Sequence, residues 1–344
     1  MVEIIDIGLL GTANRAARHE TVAAIRRACR DTGFFYAANH NVPERLIDAV
    51  YRQAARIHAL PMRDKLALHI SLSRNHRGYV PPGEEDYGNE SGTGAAPDTG
   101  QKAAFDLAAE RAPDDPDFLA GYRFQGPNVW PALTGFREAV RAYYDAVIAL
   151  GHRLLGGFAE AMDLPPQYFS RYFAKPTANL RLLHYPAQDL SGGQSLGIGS
   201  HTDSEFMTLL HQTRPGLQVM DSHGAWLDVP PEDGTFVVNS GDILETWSNG
   251  YFKSGPHRVL NVAEERFSLP LFFAPDFDVE VTPLEKFITP AHPAAYQPLI
   301  TGSHILSEYA KGFKYLRALH RDGALSLITR PEEASRFARE ASST

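Results

Sequence analysis

Cysteine is nearly absent from this sequence. Only Cys29 among the 344 residues carries a thiol, which excludes an intrachain disulfide, and its place in a helical pattern predicts a small core residue. Cysteine pairs that would bind zinc are missing, and so is a His-Glu-x-x-His helix. These absences disfavour both a disulfide scaffold and a zinc hydrolase.

Positive charge is also in short supply. Lys and Arg number 33 against 41 Asp and Glu, and the resulting net charge of −8 argues against a nucleic-acid partner. No apolar run approaches the roughly 20 residues of a membrane-spanning helix. The first residues lack the basic stretch and apolar run of a signal peptide. We therefore expect a cytoplasmic protein that works as a monomer and has no membrane partner.

The rest of the composition is that of an ordinary globular protein. The hydrophobic share is 43% and the charged share 22%, and 344 residues permit one large or two small domains. Apolar side chains recur at helical spacing mainly in the first half of the chain. The pattern predicts strands at residues 4–7 and 34–36, and helices over residues 18–32, 43–59, 62–68 and 132–164.

From residue 179 onward the apolar period changes to two. This pattern predicts strands over residues 180–185, 197–203, 207–212, 216–220, 225–229, 235–239, 257–262 and 267–273. Strands so closely spaced predict a mainly β fold with flanking helices, whose core is a jelly-roll barrel, or double-stranded β-helix. A last helix is predicted over residues 303–320.

The change of period also predicts how the chain is organised. We expect residues 1–177 to form a helical N-terminal region wrapped on the barrel. Residues 178–344 are then the barrel and its C-terminal helices, and the two parts form one structural unit.

Glycine and polar residues concentrate near residues 80–101, which predicts a mobile loop there. Two interpretations remain open, a solvated connector and a lid over an active site. In a lid, Glu84 and Glu85 would contact a cationic group on the substrate. Lys102, at the end of this segment, is expected to be solvated.

A candidate metal site lies in the second half of the chain. His201 and Asp203 are two positions apart, so on a strand their side chains share one face. His257, 54 positions after Asp203, is the best candidate for a third ligand. Two imidazoles and one carboxylate form a facial grip that leaves coordination positions open, as in non-haem Fe(II) oxygenases.

A candidate anion site follows nine positions after His257. Arg266 and Ser268 are again two positions apart, within an otherwise apolar run that ends in Phe272 and Phe273. A buried guanidinium is costly unless it meets an anion, and with a hydroxyl beside it the group suits a carboxylate. We expect Phe272 or Phe273, with Phe273 preferred, to line the pocket wall.

Together these motifs resemble the isopenicillin N synthase-like family of Fe(II)/2-oxoglutarate-dependent oxygenases. The resemblance covers most of the chain and includes Gly33-Phe34-Phe35-Tyr36, Asn39-His40-Asn41-Val42-Pro43, Gly126-Pro127-Asn128-Val129-Trp130-Pro131, Asn239-Ser240-Gly241-Asp242 and Ser248-Asn249-Gly250.

The resemblance implies a function. His201, Asp203 and His257 would bind Fe(II), and Arg266 and Ser268 would hold the distal carboxylate of 2-oxoglutarate. With O2 these enzymes release succinate and CO2 and hydroxylate, desaturate or cyclise a small molecule, such as an amino acid or a specialised metabolite.

One departure from the family pattern concerns the co-substrate. Members often carry Asn-x-Tyr where this chain has Leu183-His184-Tyr185. Tyr185 is thus a further candidate contact to 2-oxoglutarate, whereas the amide is lost. Two alternatives stay open: a non-haem iron oxidase that does not use 2-oxoglutarate (an oxidative cyclase or an ethylene-forming type), and a metal-binding jelly roll without turnover.

Overall fold

The computed structural model describes residues 1–85, 101–191, 193 and 195–325. Most of the loop expected at 80–101 lies outside these residues. The strands are β1 (Glu3–Asp6), β2 (Phe34–Ala38), β3 (Gly78–Val80), β4 (Ala103–Ala108), β5 (Pro176–Tyr185), β6 (Leu196–His201), β7 (Met207–Gln212), β8 (Leu217–Met220), β9 (Trp226–Asp228), β10 (Thr235–Ser240), β11 (His257–Leu260), β12 (Arg266–Asp276), β13 (Glu280–Val281) and β14 (Leu299–Ile300). The α-helices are α1 (Arg15–Asp31), α2 (Glu44–His58), α3 (Met62–Leu66), α4 (Pro116–Leu119), α5 (Phe136–Ala161), α6 (Asp242–Trp247), α7 (Thr301–Gly312) and α8 (Lys314–Arg321).

Two sheets make up most of the β structure. The larger has eight strands in the order β1-β2-β10-β7-β12-β5-β4-β3, and the smaller has four in the order β6-β11-β8-β9. Neighbouring strands are antiparallel, except for the parallel pair β1 and β2. The predicted mainly β fold with flanking helices is confirmed.

The first half of the chain contributes more strand than its helical pattern indicated. Strands β1 to β4 all join the large sheet, but β3 and β4 were not predicted. Strand β4 reads Ala-Ala-Phe-Asp-Leu-Ala, and every residue in it is buried. Because both faces are covered, no alternation of polar and apolar residues marks it in the sequence.

Helix α5 braces the large sheet and begins and ends close to its predicted bounds. Its 26 residues carry the predicted apolar stripe, which is buried against α1, α2 and β12. The stripe consists of Phe136, Val140, Tyr143, Val147, Leu150, Leu154 and Phe158. Despite this length, neither α5 nor any other helix in the described ranges is apolar enough to cross a membrane.

Strand β12 carries side chains on two different faces of the large sheet. Arg266 and Ser268 contact each other on the inner face. Phe273 is an odd number of positions from Ser268, and the pairing with β7 has no register shift between them, so Phe273 lies on the outer face. Its ring stacks on Phe173 with centroids 5.1 Å apart and packs against Gly151 of α5.

The expectation that Phe273 lines the pocket therefore meets a physical objection. It is a fully buried core residue under α5. Phe272 is an even number of positions from Ser268, so it lies on the inner face, where it is in register with Thr208 and Asn179.

Candidate active site

Three side chains converge where β6 and β11 run side by side. His201 ends β6, His257 begins β11, and the two residues are paired in register. Asp203 lies two residues beyond the end of β6, so it extends from a loop and not from the strand predicted over 197–203. Asp203 Oδ1 is 3.8 Å from His201 Nε2 and 3.6 Å from His257 Nε2. One ligand atom from each residue falls within 4.8 Å of the others.

Backbone carbonyls orient both imidazole rings. His201 Nδ1 lies 2.9 Å from the Gly199 carbonyl, and His257 Nδ1 lies 3.1 Å from the Gly255 carbonyl. A carbonyl oxygen only accepts, so each Nδ1 carries the proton and each Nε2 presents a lone pair to the shared point. This is the tautomer that a metal ligand requires.

The two oxygens of Asp203 have different surroundings. Oδ2 accepts hydrogen bonds from the Thr208 hydroxyl and, at 2.8 Å, from Asn239 Nδ2. Oδ1 faces the two imidazoles. The donor set is therefore two imidazole nitrogens and one carboxylate oxygen, which fits Fe(II).

Burial and neighbouring groups favour a neutral His201 and an ionised Asp203. Burial lowers the pKa of His201 to about 4, and the neighbouring His257 contributes to the same shift. Burial alone would raise the pKa of Asp203, but the attraction of His257 and His201 and two hydrogen bonds hold it below its usual range. At neutral pH His201 is thus neutral and Asp203 is ionised.

Two buried carboxyl groups flank the site without joining it. Burial, followed by the charge of Asp203, raises the pKa of Glu205 to about 8. Burial likewise raises the pKa of Asp242 to about 8. Both groups are mostly protonated at neutral pH, so they add little negative charge beside Asp203.

The motif Asn239-Ser240-Gly241-Asp242 positions Asp203. Asn239 donates to its carboxylate, and the Asp242 amide donates to its carbonyl at 2.8 Å. A Cβ at Gly241 would lie 2.2 Å from the Glu205 carbonyl oxygen and 2.8 Å from that of Asp203. Glycine is thus needed for the two backbone segments to approach this closely.

The aromatic motif near residue 34 packs against His257, the third candidate ligand. The Phe34 ring meets the His257 ring edge-on, with centroids 5.3 Å apart. A Cβ at Gly255 would lie only 2.1 Å from the Thr32 carbonyl oxygen, so this glycine lets the chain before His257 lie against the start of β2. Two stretches that are distant in sequence thereby fix one imidazole.

Arg266 and Ser268 occupy the inner face beside this cluster, and both are about 1% exposed. The guanidinium donates to Ser268 Oγ at 3.3 Å, to Gln212 Oε1 at 2.9 Å and to the Arg214 carbonyl at 3.2 Å. The Tyr185 ring covers it at 4.7 Å. All these partners are neutral, so a buried positive charge is held ready for an anion.

Gln212 is a contact that sequence reasoning missed. It pairs with Ser268 across β7 and β12, while Leu183 pairs with Ser268 on the other side. Only the strand register brings these residues together, so no local motif announces Gln212. Leu183 places an apolar side chain where family members often have an amide.

Glu84 and Glu85 are both engaged within the chain. Glu84 accepts the Tyr315 amide at 2.8 Å. Glu85 forms ion pairs with Arg181 and, at 3.2 Å, with Lys102. The predicted contact of Glu85 with a cation on the substrate thus competes with two internal cations. Lys102 is not solvated as expected, because its side chain is only 4% exposed.

Both halves of the chain match known families. Residues 2–133 match the model described as non-haem dioxygenase in morphine synthesis N-terminal, and residues 176–275 match the 2OG-Fe(II) oxygenase superfamily. Clavatol oxidase of Penicillium crustosum is 36% identical over 298 residues, which cover 82% of this chain and 88% of that protein. A 2-oxoglutarate-Fe(II) type oxidoreductase of Emericella nidulans is 32% identical over 328 residues, or 93% and 92% of the two chains.

Solved structures give the same result. A Neurospora crassa protein in complex with alpha-KG and thymine is 27% identical, with a TM-score of 0.77 over 90% of this chain and 96% of that one. The predicted jelly-roll core is thereby confirmed, as are Fe(II), 2-oxoglutarate and O2 as cofactor and co-substrates. The chain belongs to the 2OG-Fe(II) oxygenase superfamily, and it is a 2-oxoglutarate-dependent dioxygenase of small molecules.

Proposed function

We propose that His201, Asp203 and His257 hold the Fe(II) of this dioxygenase, and that Arg266 and Ser268 hold the distal carboxylate of 2-oxoglutarate. The observation that carries the proposal is the convergence of Nε2, Nε2 and Oδ1 within 4.8 Å. The remaining polar atoms of the three ligands are engaged elsewhere.

Bound Fe(II) and 2-oxoglutarate would supply the oxidising chemistry, in which one O2 is consumed as 2-oxoglutarate becomes succinate and CO2 and a C–H bond of the substrate becomes C–OH. The chain supplies orientation and a dry environment. The burial of Arg266 and Ser268 excludes water from the carboxylate end, which strengthens their charge-assisted hydrogen bonds. Tyr185 flanks this end by covering the Arg266 guanidinium.

The substrate is a small organic molecule that reaches the inner face of the large sheet. One relative, the clavatol oxidase of Penicillium crustosum, is named for such a molecule. The net charge of −8 favours a small-molecule partner over a nucleic acid.

We further infer that the protein acts as a monomer in the cytoplasm. The single cysteine is buried and suits a reducing compartment, where Fe(II) is also maintained. Size-exclusion chromatography with light scattering should then give one species near 38.0 kDa. A stable species of twice that mass would contradict the inference.

Turnover provides the test of the proposed reaction. With Fe(II), O2 and 2-oxoglutarate, the protein should form succinate at a slow basal rate that a true substrate raises. Arg266→Ala should weaken 2-oxoglutarate binding, measured anaerobically with Fe(II), by at least about 100-fold, because it removes the charge that meets the distal carboxylate. Oxygen consumption without succinate would instead indicate a non-haem iron oxidase, and iron binding without oxygen consumption would indicate a non-catalytic jelly roll.

A further inference from the structure

A cluster of buried charges lies on the inner face of β4 and β5, outside the proposed metal and co-substrate contacts. We call Glu85, Lys102, Asp106 and Arg181 the charged cluster. Each of the four side chains is at most 8% exposed. Nothing in the chemistry derived above uses them, although burying four charges is costly.

The charged cluster borders the co-substrate end of the site. Ala104 of β4 pairs with Leu183, and Leu183 pairs with Ser268. Glu85, Lys102, Ala104, Arg181 and Leu183 line a narrow concavity at this point.

Every carboxylate oxygen of Glu85 and Asp106 has a partner within the chain. Arg181 takes Glu85 Oε1, and Lys102 Nζ is 3.2 Å from Glu85 Oε2. Arg181 Nε lies 2.9 Å from Asp106 Oδ1, and Asn179 Nδ2 lies 3.4 Å from Asp106 Oδ2. Each carboxylate oxygen of the charged cluster thus already faces a donor from the described residues.

The donors of Lys102 are in excess. An ammonium group has three N–H donors, and Glu85 is its one ion-pair partner among the described residues. Although it is buried, Nζ makes no hydrogen bond of good geometry within the described part of the chain. A buried donor of this kind favours a ligand that brings an acceptor, above all a charged one.

We propose that Lys102, held by Glu85, binds an anionic oxygen of the primary substrate and so selects substrates that carry a carboxylate or phenolate. This proposal rests on the proposed function, since it places the substrate next to the 2-oxoglutarate of that same site. Glu85 and Arg181 are positioning residues, because Arg181 holds one carboxylate oxygen of Glu85 and the other oxygen faces the Lys102 ammonium.

Matched ligands test the proposal. The full chain, loaded anaerobically with Fe(II) and saturating 2-oxoglutarate, is titrated by calorimetry with phenylacetate and phenylacetamide, cinnamate and cinnamamide, and 4-nitrophenolate and nitrobenzene. At least one anion should bind about tenfold more tightly than its neutral partner. Lys102→Met should reduce that preference to about threefold or less, and Lys102→Arg should retain most of it.

Controls separate recognition from folding. Lys175→Met removes an exposed lysine and should leave the preference unchanged. If Lys102→Met alone does not fold, the double variant Glu85→Gln/Lys102→Met is used in its place, because it removes one buried charge of each sign. A preference that is absent from the wild type, or that survives in the folded Lys102 variant, overturns the proposal.

The affinity for 2-oxoglutarate distinguishes a failure of the Lys102 proposal from a failure of the proposed function. It should be the same in wild type and Lys102→Met within about twofold, since Arg266 is retained. A loss of tenfold or more would assign Lys102 to the co-substrate and overturn the proposal. Failure of the wild type to bind 2-oxoglutarate at all would instead refute the proposed function.

Discussion

At the residue scale, the two oxygens of the Asp203 carboxylate have different roles in the proposed metal site. Oδ2 is held by Thr208 and Asn239, and this leaves Oδ1 directed at the two imidazoles. Partners of this kind set the orientation and basicity of a ligand, and their loss typically costs roughly 10- to 100-fold in metal affinity.

Thr208→Val tests this division, because it removes the hydroxyl at nearly constant shape. Fe(II) affinity, measured anaerobically by calorimetry, should fall roughly 10- to 100-fold while the protein stays folded. Thr213→Val removes an exposed hydroxyl of the same kind and serves as the control. Equal affinities in both variants would show that Thr208 does not orient the ligand.

The carboxyl group of Glu85 makes stability depend on pH. Burial by itself would raise its pKa, but the attraction of Arg181 and Lys102 lowers it to about 2 in the folded protein. Because the pKa is lower in the folded protein, the ionised Glu85 stabilises the folded state at pH values above its unfolded pKa of 4.5. This contribution disappears as the pH falls toward 2.

Glu85→Gln should therefore destabilise the protein most at neutral pH, by roughly 3 kcal/mol or more. Urea unfolding between pH 7 and pH 3 measures the difference from the wild type, which should shrink as the pH decreases below about 4.5. A difference that stays constant over this range would mean that the ion pairs of Glu85 contribute little.

At the scale of elements, the site depends on close contacts between backbone segments. The turn from β10 into α6 touches the loop after β6, since the Asp242 amide donates to the Asp203 carbonyl. There is no room for a Cβ at Gly241. The helix thus begins where it can hold the ligand loop in place.

Gly241→Ala should separate these segments. The Glu205 carbonyl belongs to the backbone and cannot rotate away, so we expect a loss of roughly 2 kcal/mol or more in the free energy of unfolding, together with weaker Fe(II) binding. Gly11→Ala is a matched control, because no described atom lies within 4 Å of its Cβ position. Wild-type stability in Gly241→Ala would show that the two segments move apart easily.

The secondary-structure elements also show which strands the local apolar pattern can predict. The strand over residues 207–212 was predicted with its observed bounds because its flanks carry clear turn and apolar signals. Strand β4 was missed because it is buried on both faces. Phe273 was placed in the pocket by nearness to Ser268 in sequence, although the period of two already assigns Phe272 to that face.

At the scale of the whole molecule, the candidate ligands were predictable and their surroundings were not. His201, Asp203, His257 and Arg266 form short or family-like spacings that can be read directly. Lys102 was expected in solvent, since its burial depends on Glu85 and Arg181, which are distant in sequence. Such contacts follow from strand order and register, which single-sequence patterns do not specify.

The whole fold brings His257 to the pair His201 and Asp203, which lies more than 50 positions earlier in the chain. The smaller sheet supplies His201 and His257, the loop beyond β6 supplies Asp203, and the larger sheet supplies Thr208, Asn239 and the buried Arg266. Because the ligands converge only in the folded state, metal binding should report on all of these elements together.

Anaerobic titration of the metal-free protein with Fe(II) tests this central claim most directly. The wild type should bind one Fe(II) per chain, and His257→Ala, with a folded circular-dichroism spectrum, should lose at least about 100-fold in affinity because one of three ligands is gone. His211→Ala removes a half-buried imidazole that forms a hydrogen bond with Tyr51, and this variant should keep the iron. Unchanged iron binding in His257→Ala would contradict the account.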